Sequence, residues 1–208
     1  MAVTNSESKI LSAAVKEFIA KGYSGARMQE IADKAGLNKA LLHYYFKSKE
    51  QLYTRVLEAE FSRMMSGIIS ALEGEGDFKT WLKGIIHQYL HEIQSRPHFS
   101  RFILWELNSE KKRLPGLLAK AFKERGYTSN PILQKVQFKL NEAGLTEVSP
   151  VHFLLNLLSL CIYPSLAMPV FEKVFPGLND VKESFFKQRE EEIYNLMMNG
   201  YKSGLEKQ

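Results

Sequence analysis

The chain has 208 residues and a formal net charge of +5, from 28 Lys and Arg against 23 Asp and Glu. That length holds one large helical core, or a small domain fused to a medium one. The single cysteine, Cys161, excludes an intrachain disulfide and fits a reducing compartment, and the opening MAVTNSESK lacks the apolar core of a secretory signal.

In chain order, Thr4 and Glu7 are spaced as a capping box. Ile10, Leu11, Ala14, Val15, Phe18 and Ile19 follow at helical spacing, and Gly22 is expected to close this first helix. Tyr23 to Ala26 link it to Met28–Lys47, which has the pattern of a helix-turn-helix. There Ile31, Ala35, Leu37, Leu42 and Tyr45 supply packing positions, and Ala32 is small enough to let two helices cross closely. Gly36 falls where the turn needs a left-handed backbone, and Asn38 is a good N-cap for the second helix of the pair. In such a motif the second helix enters the DNA major groove.

Ser48 and Gln51 form a second capping box, opening a long helix that Gly74-Glu75-Gly76 ends. A fifth helix is expected from about Phe78 to Ser95 and a sixth from Pro97. All seven prolines lie at or beyond position 97, so Gly116, Gly126, Pro131, Gly144, Pro150 and Pro176 are expected breaks. The last helix is expected over Asp180–Asn199, before Gly200. No run shows the two-residue alternation of a half-buried strand, so the fold class is all-α.

Residues 1–50 carry eight basic side chains against five acidic ones, a +3 share of the total charge. A basic excess on one element is the electrostatic footprint of phosphate binding. Val151 to Phe171 contains no Asp, Glu, Lys or Arg and is long enough to cross a bilayer. His152, Asn156 and Ser159, with Pro164 and Pro169 interrupting its second half, favour a helix buried in a core or dimer interface instead, and no membrane is expected.

The segments AAVKEFIAKGYSG and MQEIADKAGLNKALLHYYFKSKEQLY resemble the DNA-binding domain of the tetracycline-repressor (TetR) family of transcriptional regulators. The matching features are Gly22-Tyr23 after the first helix, the turn from Ile31 to Gly36, and the junction from Tyr44 to Glu50. The resemblance covers residues from about Ser6 to Leu57. It implies an N-terminal three-helix DNA-binding domain, placed at 1–50, and a helical effector-binding and dimerisation domain at 51–208.

The DNA-binding set expected is Arg27, Asn38, Lys39, Leu41, His43, Tyr44 and Lys49. Lys39, at the start of the recognition helix, reaches a phosphate or a guanine edge, and Arg27 is a second phosphate candidate. Tyr44 resembles the family tyrosine whose hydroxyl contacts the DNA backbone. Lys49 lies in the first turn of the long helix, where unpaired N–H groups also favour a phosphate. Three positions depart from the family. Ala26 stands where Thr commonly helps cap the second helix, with Ser24 as the candidate substitute. Leu41 replaces a frequent Thr and His43 a usual aromatic, changes expected to alter the DNA sequence read.

In the second domain, Trp81, Tyr89, Phe102, Trp105, Phe153 and Tyr163 are candidate linings of an effector pocket, with Arg101 and Glu106 as polar orienting groups. His87 and His91 have a spacing compatible with one metal ion. They fall opposite the apolar face of Phe78, Trp81, Leu82, Ile85, Tyr89 and Ile93, so a solvated face is expected and neither metal nor cofactor.

The function expected is a cytoplasmic, homodimeric, sequence-specific DNA-binding regulator. By family habit it is a repressor, released from a palindromic site in double-stranded DNA by a small-molecule effector. Dimerisation would pair Pro150–Leu166 and Asp180–Asn199 with their symmetry mates. The alternatives are a dimeric DNA-binding regulator without a ligand, and a helical enzyme. For the last, the sequence offers no G-x-S-x-G elbow, P-loop, H-E-x-x-H or paired cysteines.

Overall fold

The computed structural model describes residues 5–96, 99–107, 113–127, 131–175, 177 and 182–205. These residues are helical with turns and no strand, and they form two compact units that divide between Arg63 and Met64. Thr4 of the expected first capping box lies outside the described residues, as do Pro97, His98, Pro176 and Asp180.

The first unit comprises α1 (Asn5–Gly25), α2 (Met28–Ala35), α3 (Lys39–Tyr45) and the opening turns of α4 (Lys49–Glu73). The apolar stripe of α1 puts Ile10, Ala13, Ala14 and Phe18 into a core with Ile31, Ala32, Leu42, Leu52, Tyr53, Val56 and Leu57. Phe18 and Tyr23 each meet the Tyr53 ring edge-on, at 5.1 and 5.0 Å between centroids. Gly22 breaks α1 without ending it. Its φ of 68° and ψ of 178° turn the chain, and a further turn runs on to Gly25.

The second unit holds the rest of α4 with α5 (Phe78–Ser95), α6 (Phe99–Leu107), α7 (Arg113–Glu124), α8 (Pro131–Glu142), α9 (Pro150–Val174) and α10 (Lys182–Leu205). α5 begins where Asp77 Oδ1 accepts the Thr80 N–H at 2.8 Å. Its Trp81 is buried and donates Nε1–H to the Leu72 carbonyl at 3.0 Å, so the indole fixes the end of α4. After α7, Arg125 bonds Glu73, Ser66 and Ser70, and the Tyr127 hydroxyl donates to Glu73 at 2.5 Å. The core is built from Leu82, Ile85, Ile86, Leu90, Val136, Leu140, Phe153, Leu157, Cys161, Ile193 and Met197.

Expected breaks at four positions are corrected. α7 runs through Gly116, α9 runs through both Pro164 and Pro169, and α10 runs through Gly200 to Leu205. Pro164 has no N–H, so the carbonyl of Leu160, one turn earlier, loses its helical donor. Arg189 of α10 replaces that donor, with Nη2 3.1 Å from the Leu160 oxygen. Within the single chain, α9 is buried along one side only. Val151, Leu155, Tyr163, Val170 and Val174 are exposed along it, while Phe153, Leu157, Cys161, Pro164 and Met168 face inward.

Candidate nucleic-acid interface

The turn between α2 and α3 is set by Gly36, whose φ of 66° and ψ of 33° are left-handed. Its N–H reaches the Asp33 carbonyl at 3.1 Å, and the Leu37 N–H reaches Ala32 at 3.0 Å, closing α2. Asn38 then starts α3, its Oδ1 accepting the Leu41 N–H at 2.7 Å. Ala32 and Leu42 are fully buried, so the two helices are held at close range. Ala35, Leu37 and Tyr45 are half-buried.

The other face of α3 is open. Lys39 is exposed, Leu41 and His43 are half-buried, and Tyr44 is 71% exposed. Its ring stands edge-on to Tyr45 at 5.4 Å. A short second helix is thus presented with polar and aromatic side chains outward, on a turn geometry that DNA readers use. Residues 10–56 match the sequence model described as bacterial regulatory proteins, tetR family. The likeness to the tetR family thus lies in the N-terminal unit.

Among proteins similar to it, the HTH-type transcriptional activator FasR of Mycolicibacterium smegmatis is 35% identical over 86 residues, covering 41% of this chain and 39% of that protein. The HTH-type transcriptional repressor SCO4008 of Streptomyces coelicolor is 31% identical over 100 residues, 48% of each. The chain therefore matches under half the length of either relative. The solved structure of the transcriptional regulator FadR from Bacillus subtilis, in complex with stearoyl-CoA, superposes with a TM-score of 0.61 at 14% identity. That match covers 91% of this chain and 96% of that one, and it establishes a shared fold.

Within the matched region, α2 starts without a side-chain cap. Arg27 occupies its N-cap position, exposed, and Ser24 does not cap it. Ala26 is instead buried. The link is fastened by Lys49, whose Nζ donates to the Ala26 carbonyl at 3.1 Å and the Ser24 carbonyl at 3.3 Å, and lies 4.7 Å over the Tyr23 ring. Sequence spacing gave no sign of this, because the partners lie 23 and 25 positions away. The Ser48 hydroxyl accepts the Gln51 N–H at 3.1 Å, as a capping box requires. The return bond is shifted by one residue, with Gln51 Oε1 accepting from Lys47 N–H at 2.8 Å.

A charge network lies behind the motif. Glu17 is fully buried, and its carboxylate meets Lys34 of α2 and, at 3.0 Å, Lys21 of α1. Lys21 also pairs with Glu30. Burial alone would raise the Glu17 pKa, but hydrogen bonding with Lys34, Glu30 and Lys21 outweighs it and brings the value down to about 2. Lys47 lies outside the expected DNA-binding set but beside it. It is exposed just past α3, its Nζ 5.6 Å over the Tyr44 ring. Its signal in the sequence was its place inside the family junction from Tyr44 to Glu50.

The six candidate effector residues of the second unit have different surroundings. Tyr163 is 64% exposed on the outward side of α9 and Trp105 is 40% exposed, so neither is enclosed. Trp81 is engaged with Leu72, and Phe153 packs between Phe78 at 6.0 Å and Tyr201 at 5.6 Å. Phe102 is buried. Tyr89 differs from these. Burial pushes its hydroxyl pKa well up, with the Cys161 thiol adding to the shift. Cys161 itself is pushed up to about 12 by burial. Glu106 is buried and paired with Arg113 at 2.7 Å, whereas the Arg101 side chain lies outside the described residues.

His87 and His91 stack with nearly parallel rings 6.4 Å apart, and His87 Nδ1 lies 3.0 Å from Glu190. They border an open groove of about 670 Å³ shared with Leu90, Gln94, Phe186 and Lys187. Among the described residues no three His, Cys, Asp or Glu side chains gather to hold a metal.

Proposed function

We propose that the chain is a cytoplasmic, homodimeric transcriptional regulator that reads a palindromic DNA site and responds to a small molecule, without catalysing a reaction. The observation that carries this function is the outward face of α3. Lys39 and Tyr44 project from a helix whose start, turn and packing are all fixed, so the exposed side chains are presented in register. The apolar outward face of α9 supports a two-fold interface with a second copy, because a symmetric contact covers the same patch on both subunits. Two recognition helices at a fixed separation then read two half-sites.

The effector part is supported by the half-buried Tyr89 of α5, a candidate donor to a ligand oxygen, and by the fold shared with a regulator solved with stearoyl-CoA. A ligand changes DNA affinity only to the extent that it binds one state of the dimer better than the other. Repression relieved by ligand is the direction proposed, following the family. One relative is named a repressor and another an activator, so the direction needs its own measurement.

DNA selected by the purified chain from a random pool tests the reading. Enrichment of a palindrome is expected, with Tyr44→Phe and Lys39→Ala each weakening binding several-fold while the dimer persists. No enrichment over input DNA would overturn it. Stearoyl-CoA, the ligand of the fold neighbour, is the first effector probe. Release of the selected DNA by that probe, lost in Tyr89→Phe, is the outcome expected if this chain shares the ligand class.

A further inference from the structure

Of the eight basic residues in positions 1–50, three are engaged inside the unit. Lys21 and Lys34 face Glu17, and Lys49 serves the end of α1. The Lys49 case matters most, since the start of α4 is where a phosphate was expected. Its ammonium has three N–H donors. Two are directed at the Ala26 and Ser24 carbonyls, and the charge sits over the Tyr23 face. Turning to a phosphate would leave both carbonyls without that donor and give up the ring contact.

Lys47 is placed in the opposite way. Its backbone is held, because its N–H donates to Gln51, but its ammonium meets only the Tyr44 ring among the described residues. A cation on an aromatic face keeps its charge and all three donors available. The ring also limits where the flexible stem wanders, which lowers the entropy lost when an anion binds. The Tyr44 hydroxyl and the Lys47 ammonium are therefore two donors carried on one exposed unit at the end of α3.

We infer that Lys47, seated over Tyr44, contacts a DNA phosphate, and that Lys49 is a positioning residue that fixes the α1–α2 link and contacts none. This rests on the DNA-binding function proposed above. The salt dependence of binding separates the two roles. Each phosphate neutralised by a lysine adds about 0.9 to the slope of log K against log salt concentration, whereas a residue that only positions others adds nothing.

The experiment uses the full chain and a duplex selected from a random pool by the wild type, titrated from low to moderate salt. Lys47→Ala is expected to lower the slope by about 1.8 for the two copies in a dimer. Lys47→Arg is expected to keep the wild-type slope. Lys49→Ala is expected to weaken binding at every salt concentration with the slope unchanged, and Lys49→Arg to recover most of the affinity. Circular dichroism at the assay temperature confirms that each variant is folded. An unchanged slope in Lys47→Ala, or a reduced slope in either folded Lys49 variant, would overturn the assignment. Wild-type chain that selects no duplex would instead remove the DNA-binding reading, and this inference with it.

Discussion

Glu17 and Lys34 form an ion pair with one member fully buried and the other 47% exposed, so α2 is tied to α1 through a carboxylate that water does not reach. Its pKa of about 2 lies below the ordinary value of 4.5. A depressed carboxylate contributes stability that is fully present above the unfolded value and is lost as pH falls through the folded one. Protection of α1 and α2 amides from hydrogen exchange is therefore expected to decline between pH 4.5 and about 2. Glu17→Gln is expected to lower protection at neutral pH and to flatten that decline. A mutant with the wild-type pH profile would show that the pair does not hold the helices together.

The turn and cap of the DNA-binding motif predict two separate losses. Asn38→Ala removes the acceptor of the Leu41 N–H and is expected to cost about 1 kcal/mol of stability. Gly36→Ala meets no atom within 4 Å, so its cost is the left-handed backbone alone, also about 1 kcal/mol. The two sites lie two residues apart in one turn, so the double mutant is expected to depart from strict additivity in denaturant unfolding.

Arg189 and Pro164 predict a coupled pair. Arg189→Leu leaves the Leu160 carbonyl without a donor and is expected to destabilise the second unit by about 1–2 kcal/mol. In a Pro164→Ala background the restored N–H can bond that carbonyl, so the same change is expected to cost less. A double-mutant cycle measured by urea unfolding checks this, and strict additivity would refute the coupling.

The exposed side of α9 predicts the site of assembly. Leu155→Asp and Tyr163→Asp each place a charge on the face assigned to the second copy. Each is expected to raise the dimer dissociation constant at least about tenfold, roughly 1.4 kcal/mol, with helicity unchanged. Sedimentation velocity across a concentration series reads the outcome. Wild-type dimerisation in both variants would move the interface elsewhere.

Much of the fold was legible wherever a residue acts on near neighbours. Gly36, Asn38 and the Ser48–Gln51 pair act within four positions, and the expected bounds of α5 agree with those observed. What escaped depends on distant partners. Pro164 looks like a break until Arg189 supplies the missing donor, and the bonds of Lys49 to the Ser24 and Ala26 carbonyls span more than twenty positions. The exposure of Tyr163 was not legible because α9 is apolar on all sides. Without a polar face, helical periodicity does not distinguish the inward residues from the outward ones.

The Leu160 carbonyl also carries a consequence for biosynthesis. A ribosome makes α9 before it makes α10, and domains fold as the chain emerges. The turn at Pro164 is thus synthesised without its donor and stays incomplete until Arg189 arrives. A chain truncated before α10 would expose a carbonyl that no residue of α9 can satisfy. A chain that includes α10 instead closes that turn through Arg189.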